Sequence, residues 1–205
     1  MKLKIKICGI TNREDALRCI DAGANALGFI FYKKSPRYIE PSIAATIIGE
    51  LPSYIAPVGV FVNEKRPFIE QTIAETNIRI IQFSGDEMPE DCNGYSLKVW
   101  KAFRFSSMDE VEIAQRYSIS AALIDGVDNN LYGGTGTLAD FSIASAVKQF
   151  HPVVLAGGLN PENVLSAIHH VQPYAIDVNS GIERSPGKKD EKKIASLFNQ
   201  LQKVF

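Results

Sequence analysis

Residues 153–181 read Val153-Val154-Leu155-Ala156-Gly157-Gly158-Leu159-Asn160-Pro161, then Glu162-Asn163-Val164-Leu165-Ser166-Ala167-Ile168-His169-His170-Val171, then Gln172-Pro173-Tyr174-Ala175-Ile176-Asp177-Val178-Asn179-Ser180-Gly181. A short β-branched run ends in paired glycines, an amphipathic stretch follows, and a second β-branched run ends in another glycine turn. That order predicts one β–α–β unit, with strands at 153–156 and 175–178 and a helix over 161–171. Asn160 and Pro161 mark the helix start, because the first helical residue needs no N–H.

The same rhythm runs outward through almost the whole chain. Six further strands are expected at 3–8, 26–31, 57–62, 79–83, 98–103 and 121–125. Helical patterns follow most of them, at 12–22, 41–51, 66–76, 108–117, 141–150 and 190–205. The first has an Asn12 cap and acidic residues in its opening turn, where the helix dipole favours them. The stretch 86–96, with Pro89 and Gly94, is the weakest helix candidate. Strict alternation requires a parallel sheet with right-handed crossovers. Eight units in 205 residues allow about 26 residues each, which fits a closed, parallel eight-stranded (β/α)8 barrel, the TIM-barrel class of α/β fold. An open dinucleotide-binding sheet would carry a G-x-G-x-x-G turn after its first strand, and Cys8-Gly9-Ile10-Thr11 is not one. No linker or low-complexity tract divides the chain, so residues 1–205 are expected to form a single catalytic domain.

Composition narrows the partners. With 22 Lys+Arg against 23 Asp+Glu the formal charge is −1, and no basic block stands out, which argues against nucleic acid or an anionic membrane. The longest apolar run, 55–62, is far too short to span a bilayer. The N-terminal alternation of lysines and aliphatics has no signal core, so a cytoplasmic setting is expected. Cys8, Cys19 and Cys92 include no CxxC pair and no zinc-like spacing. No apolar stripe is left over once the helices are laid against the barrel, so a monomer is expected, a homodimer remaining open.

In this fold, chemistry sits at the C-terminal strand ends. Those ends deliver Cys8, the basic loop from Lys33 to Arg37, Asn63, Ser84, Lys101 to Arg104, Asp125, Gly157-Gly158 and Asn179-Ser180-Gly181. Glycines after strands seven and eight let backbone N–H groups approach an anion, so Gly157, Gly158, Ser180 and Gly181 read as a phosphate cradle. The cluster Gly133-Gly134-Thr135-Gly136 reads either as a loop closing over substrate or as a simple connector. A small phosphorylated molecule is the expected partner.

His151, His169 and His170 all fall at the opposite end of the barrel, which excludes a Ser-His-Asp triad and a His-rich metal centre. Proton transfer then falls to other groups. Asp125 closes an apolar strand, where burial raises a carboxyl pKa and makes a general acid. Cys8 is either a base with a lowered pKa or a buried structural thiol. Lys6 shares its face of strand one, and Asp177 lies on the neighbouring strand eight, so a buried Lys6–Asp177 pair is expected within about 6 Å.

These residues resemble a known family. Lys6-Ile7-Cys8-Gly9-Ile10-Thr11, Gly28-Phe29-Ile30-Phe31, Ser35-Pro36-Arg37-Tyr38, Gly59-Val60-Phe61-Val62-Asn63 and Leu123-Ile124-Asp125 are similar to motifs of phosphoribosylanthranilate isomerases. The match continues through Tyr132-Gly133-Gly134-Thr135-Gly136, the stretch 155–164, Asp177-Val178-Asn179-Ser180-Gly181-Ile182-Glu183 and Pro186-Gly187-Lys188-Lys189-Asp190. The resemblance implies a small barrel without metal or organic cofactor. It also implies an Amadori rearrangement of N-(5-phosphoribosyl)anthranilate to the deoxyribulose 5-phosphate product, in tryptophan biosynthesis. By the same resemblance Asp125 is the acid that opens the ribose ring, Cys8 the base at C2′, and Arg37 the contact to the anthranilate carboxylate. The glycine turns and Asn179 then hold the phosphate end. Two positions depart from the family: Gln82-Phe83-Ser84-Gly85 has Ser84 where histidine is usual, and Asp140-Phe141 has Phe141 where tryptophan is frequent. The alternatives are a related phosphosugar isomerase of broader aminoaldose range and a phosphate-binding barrel without catalysis.

Overall fold

The computed structural model describes residues 3–126 and 140–204. Eight parallel strands close into a barrel in chain order: β1 (Lys4–Ile7), β2 (Ala26–Ile30), β3 (Ala56–Phe61), β4 (Ile80–Phe83), β5 (Lys98–Phe103), β6 (Ala121–Ile124), β7 (Val153–Leu155) and β8 (Ala175–Val178). Closure is made by β1 on β8, with Lys6 directly opposite Asp177. Outside lie α1 (Arg13–Ala22), α2 (Pro41–Gly49), α3 (Arg66–Thr76), α4 (Phe141–Val147), α5 (Val164–Val171) and α6 (Glu191–Leu201). A short antiparallel ribbon, β9 (Glu183–Ser185) with β10 (Lys188–Lys189), sits between β8 and α6. Among the described residues no helix is long and apolar enough to cross a membrane.

Strand alternation sorts the core into two layers. Ile5, Ile7, Leu27, Phe29, Phe61, Ile81 and Phe83 pack outward against the helices. Ala26, Val58, Ile80, Trp100, Leu123, Val154 and Ala175 fill the barrel interior. A plug of this kind leaves only the upper rim open for chemistry.

The connections differ from the expected helices at several places. The stretch expected to be a helix over 108–117 is a 3₁₀ segment, Met108–Arg116. Its buried residues Val111 and Ala114 stand three apart, the spacing that aligns side chains in a three-residue turn. The 86–96 stretch yields only a 3₁₀ turn at Pro89–Cys92. Helix α5 begins three residues after Pro161. Asn160 Oδ1 accepts from the N–H groups of Glu162 and Asn163 at 2.9 and 3.0 Å, while Asn163 Oδ1 accepts from Asn160 N at 2.9 Å. These local side-chain bonds replace the first helical turn. The last helix gives way to a 3₁₀ turn at Gln202–Val204.

Candidate active site

The inward parity of the strands brings one residue after another to the rim. Cys8 follows β1, Ser84 follows β4, Arg104 follows β5 and Asp125 follows β6, and all four line a single cavity with Ile30, Val60 and Gln82. Asp177 of β8 and Asn179 just after it complete its floor and wall.

At the floor, the Lys6 ammonium donates to Asp177 Oδ2 at 2.5 Å. Lys6 is 1% exposed, so this pair is removed from water. The Lys6 Cε and the Cys8 sulfur both crowd the face of Gly28, standing 3.1 and 2.7 Å from where a Cβ would be. A larger residue at position 28 would displace the thiol. Burial pushes the Cys8 thiol up, and the Lys6 ammonium beside it works in the opposite direction. Burial alone would lower Lys6, but Asp177 and Cys8 more than offset it and hold it above its ordinary value. The second oxygen of Asp177 is buried with no hydrogen-bond partner among the described residues.

Asp125 stands across the rim. Burial raises its carboxyl pKa to about 6, against the pull of the Arg104 guanidinium. The adjacent Gly126 N–H donates to Asp125 Oδ1 at 2.9 Å. Arg104 in turn donates to the Ser84 carbonyl at 2.7 Å. Gln82 Nε2 donates to Ser84 Oγ at 3.0 Å. Because that hydroxyl already accepts, it has a proton to donate into the cavity.

The turns after β7 and β8 form the third wall. Gly157 and Gly158 have φ of 80° and 57°, a left-handed turn that bends the chain beside the cavity. The N–H groups of Gly157, Gly158, Ser180 and Gly181 donate to no described residue. The first three belong to residues lining the cavity; Gly181, expected with them, is not among the lining residues and follows Ser180 in the turn after β8. Available backbone donors at a rim are what an anion requires.

Arg37 reaches the cavity from the loop after β2. Its Nε and Nη2 are taken by Glu183, at 3.0 Å to each carboxylate oxygen from Nε and 2.8 Å from Nη2. Nη1 makes no hydrogen bond to a described residue.

Other strand-end candidates are not brought to this cavity. Lys101 has the opposite parity and is buried outside the barrel, where it donates to Gly85 O at 2.8 Å and Glu87 Oε2 at 3.1 Å. Asn63 turns away to bond Asp86, and Lys33 and Lys34 are exposed. His151 bonds the Ala114 carbonyl, away from the cavity. Phe141 stacks on His170 in the outer layer at 5.6 Å. The cluster Gly133 to Gly136 lies outside the described residues. Sequence reasoning missed Gln82, whose parity with Ser84 was the available signal. It also gave no role to Glu183 and Lys189, which sit in a ribbon too short to show periodicity.

A family model described as N-(5'phosphoribosyl)anthranilate (PRA) isomerase matches residues 5–200. The chain belongs to this family. Among phosphoribosylanthranilate isomerases, that of Trichlorobacter lovleyi is 46% identical over 204 residues, covering 99% of this chain and all of the relative. The crystal structure of phosphoribosyl anthranilate isomerase from Thermus thermophilus aligns with a TM-score of 0.91 at 34% identity, over 99% of this chain and 100% of that one. A further phosphoribosyl anthranilate isomerase was solved in complex with reduced 1-(o-carboxyphenylamino)-1-deoxyribulose 5-phosphate. It aligns with a TM-score of 0.86 at 39% identity, covering 98% of this chain and 100% of that chain. Family membership accounts for the closed barrel and for the run of motifs along it.

Proposed function

We propose that this chain catalyses the Amadori rearrangement of N-(5-phosphoribosyl)anthranilate, and that Asp125 and Cys8 carry the two proton transfers. The observation that supports this most directly is the one cavity in which a buried thiol and a carboxyl of raised pKa share a rim with Gly157 and Gly158, whose N–H groups donate to no described residue. The glycine turns, with Ser180 and Asn179, anchor the phosphate, which sets the sugar ring between the two groups. Asp125 gives its proton to the ring oxygen as the C1′–O bond breaks, leaving an open-chain protonated imine. The Cys8 thiolate then takes the C2′ proton, and the electron pair moves into the C1′–C2′ bond to neutralise the imine nitrogen. The resulting enolamine becomes the ketone by moving the proton of its hydroxyl to C1′. A proton returned from Cys8 to Asp125 through solvent completes the cycle, so the reaction is a net isomerisation. Arg37 offers Nη1 to the anthranilate carboxylate, a task for a planar guanidinium.

Cys8→Ser is expected to lower kcat/KM by about 10³-fold or more, measured by the loss of substrate fluorescence. Asp125→Asn should lose turnover similarly while still binding inorganic phosphate. Wild-type rates in either variant would remove that residue from the mechanism.

A further inference from the structure

Glu183 is only 6% exposed and accepts from three different residues. Besides the two-pronged contact from Arg37, its Oε1 receives the Lys189 ammonium at 3.1 Å and the Gly187 N–H at 3.2 Å. Lys189 stands directly opposite Glu183 in the β9–β10 ribbon, so the ribbon's register sets this meeting. The ribbon is itself pinned: the Lys189 N–H donates to Asp15 Oδ2 at 2.9 Å, and Thr11 donates to the Gly187 carbonyl at 2.5 Å. The Lys189 ammonium also reaches Asn179, with Oδ1 at 3.0 Å and the carbonyl at 3.3 Å. One buried cluster therefore braces both Arg37 and Asn179, two side chains of the cavity wall.

Charge gives the cluster a meaning beyond bracing. An Arg37–Glu183 pair alone would be neutral and would attract an anion weakly. Lys189, 1% exposed, adds a second cation; burial draws its ammonium below the ordinary value and Glu183 works against that, so the trio carries one net positive charge while Lys189 stays protonated. Burial works to raise Glu183, but Arg37 and Lys189 outweigh it and keep its carboxylate below the ordinary value. Burying three charges is costly and makes a poor device for stability alone, because well-packed apolar residues would serve the ribbon as well.

We propose that Glu183 and Lys189 are positioning residues that tune this site toward a substrate bearing an aryl carboxylate. Glu183 holds the guanidinium so that its Nη1 edge faces the cavity, and Lys189 restores the positive charge that Glu183 cancels. The inference rests on the assignment of Arg37 to the carboxylate.

The test compares kcat/KM for N-(5-phosphoribosyl)anthranilate with that for N-(5-phosphoribosyl)aniline, which lacks the carboxylate. Arg37→Gln is expected to collapse the wild-type preference. Lys189→Gln should reduce it by about tenfold or more through the lost charge. Glu183→Gln should reduce it by a similar factor because the guanidinium loses its brace, which outweighs the positive charge the trio gains. Both losses fall mainly on KM for the carboxylate substrate. Equal losses on both substrates, or an unchanged ratio, in the Glu183 and Lys189 variants while Arg37→Gln still collapses it would overturn the proposal and leave the Arg37 assignment standing. An unchanged ratio in Arg37→Gln would remove that assignment and the proposal with it. Should Glu183→Gln fold poorly, Lys189→Gln, which keeps the Arg37–Glu183 bonds, carries the same comparison.

Discussion

In the proposed reaction Asp125 must hold a proton at the moment when Cys8 has lost one. Burial raises both groups, Asp125 to about 6 and the Cys8 thiol above its usual value. At neutral pH the acid is therefore largely ionised and the base largely protonated, and only a minor fraction of molecules is correctly charged. Above about 6 the protonated fraction of Asp125 falls tenfold per pH unit, while the Cys8 thiolate fraction rises tenfold per unit. The two cancel, so kcat/KM should be level from about pH 6 up to the thiol pKa and fall on either side. Below 6 the acid is already saturated with protons, and the shrinking thiolate fraction lowers the rate. In Asp125→Asn the residual kcat/KM should keep climbing with pH straight through 6. A wild-type rate that falls steadily above pH 6 would contradict the assignment of the two roles. That Cys8 and Asp125 meet at one cavity was legible in the sequence, because both close strands of the barrel at the same rim. The direction of the Cys8 shift was not, because it depends on how completely Ile30, Val60 and neighbouring strands shield the thiol.

At the scale of elements, the turns after β7 and β8 depend on each other. A Cβ at Gly181 would stand 2.0 Å from the Leu159 carbonyl oxygen and 2.9 Å from Asn160 Cβ. The nearest of these atoms is backbone, so an added methyl can be accommodated only by driving the two turns apart. Gly181→Ala should therefore weaken competitive inhibition by inorganic phosphate by about tenfold or more, as the N–H groups of Gly157, Gly158 and Ser180 lose their common focus. An inhibition constant equal to wild type would mean that these turns do not hold the phosphate. The glycines themselves could be read from the sequence, but their interlock could not, since it joins loops that touch only after the barrel closes. The same limit explains the misread helix start at Pro161. Asn160 and Asn163 exchange side-chain bonds in preference to a helical turn, and Asn163 Nδ2 ties the result to the Gly158 carbonyl at 2.9 Å. The 3₁₀ segment Met108–Arg116 escaped for a related reason: its apolar spacing fits a tight turn as well as an α-helix over so short a run.

At the scale of the whole molecule, the barrel exists only if the first strand finds the last. Alternation along the chain made eight strands legible, and the Lys6–Asp177 pairing was readable because both residues interrupt apolar runs. The closed barrel sets Lys6 opposite Asp177 at the β1–β8 seam, with Ile5 and Ile7 facing the helices on either side; the registers of the other strand pairs, which no such polar pair marks, could not be read from the sequence. This seam spans 171 residues of chain, so the entropic cost of closing it falls on a handful of strand contacts and one ion pair. Removing the ammonium alone leaves Asp177 as a buried, uncompensated charge. Lys6→Met should therefore lower unfolding stability by about 3–5 kcal/mol in urea titrations. The double variant Lys6→Met with Asp177→Asn no longer carries that charge and should recover most of the loss. If residues 1–205 fold as one unit, both variants should unfold in a single transition seen alike by far-ultraviolet circular dichroism and by Trp100 fluorescence. A double variant no more stable than Lys6→Met would show that the pair does not hold the seam through its charge. Two separated transitions would show that part of the chain folds without the seam being closed.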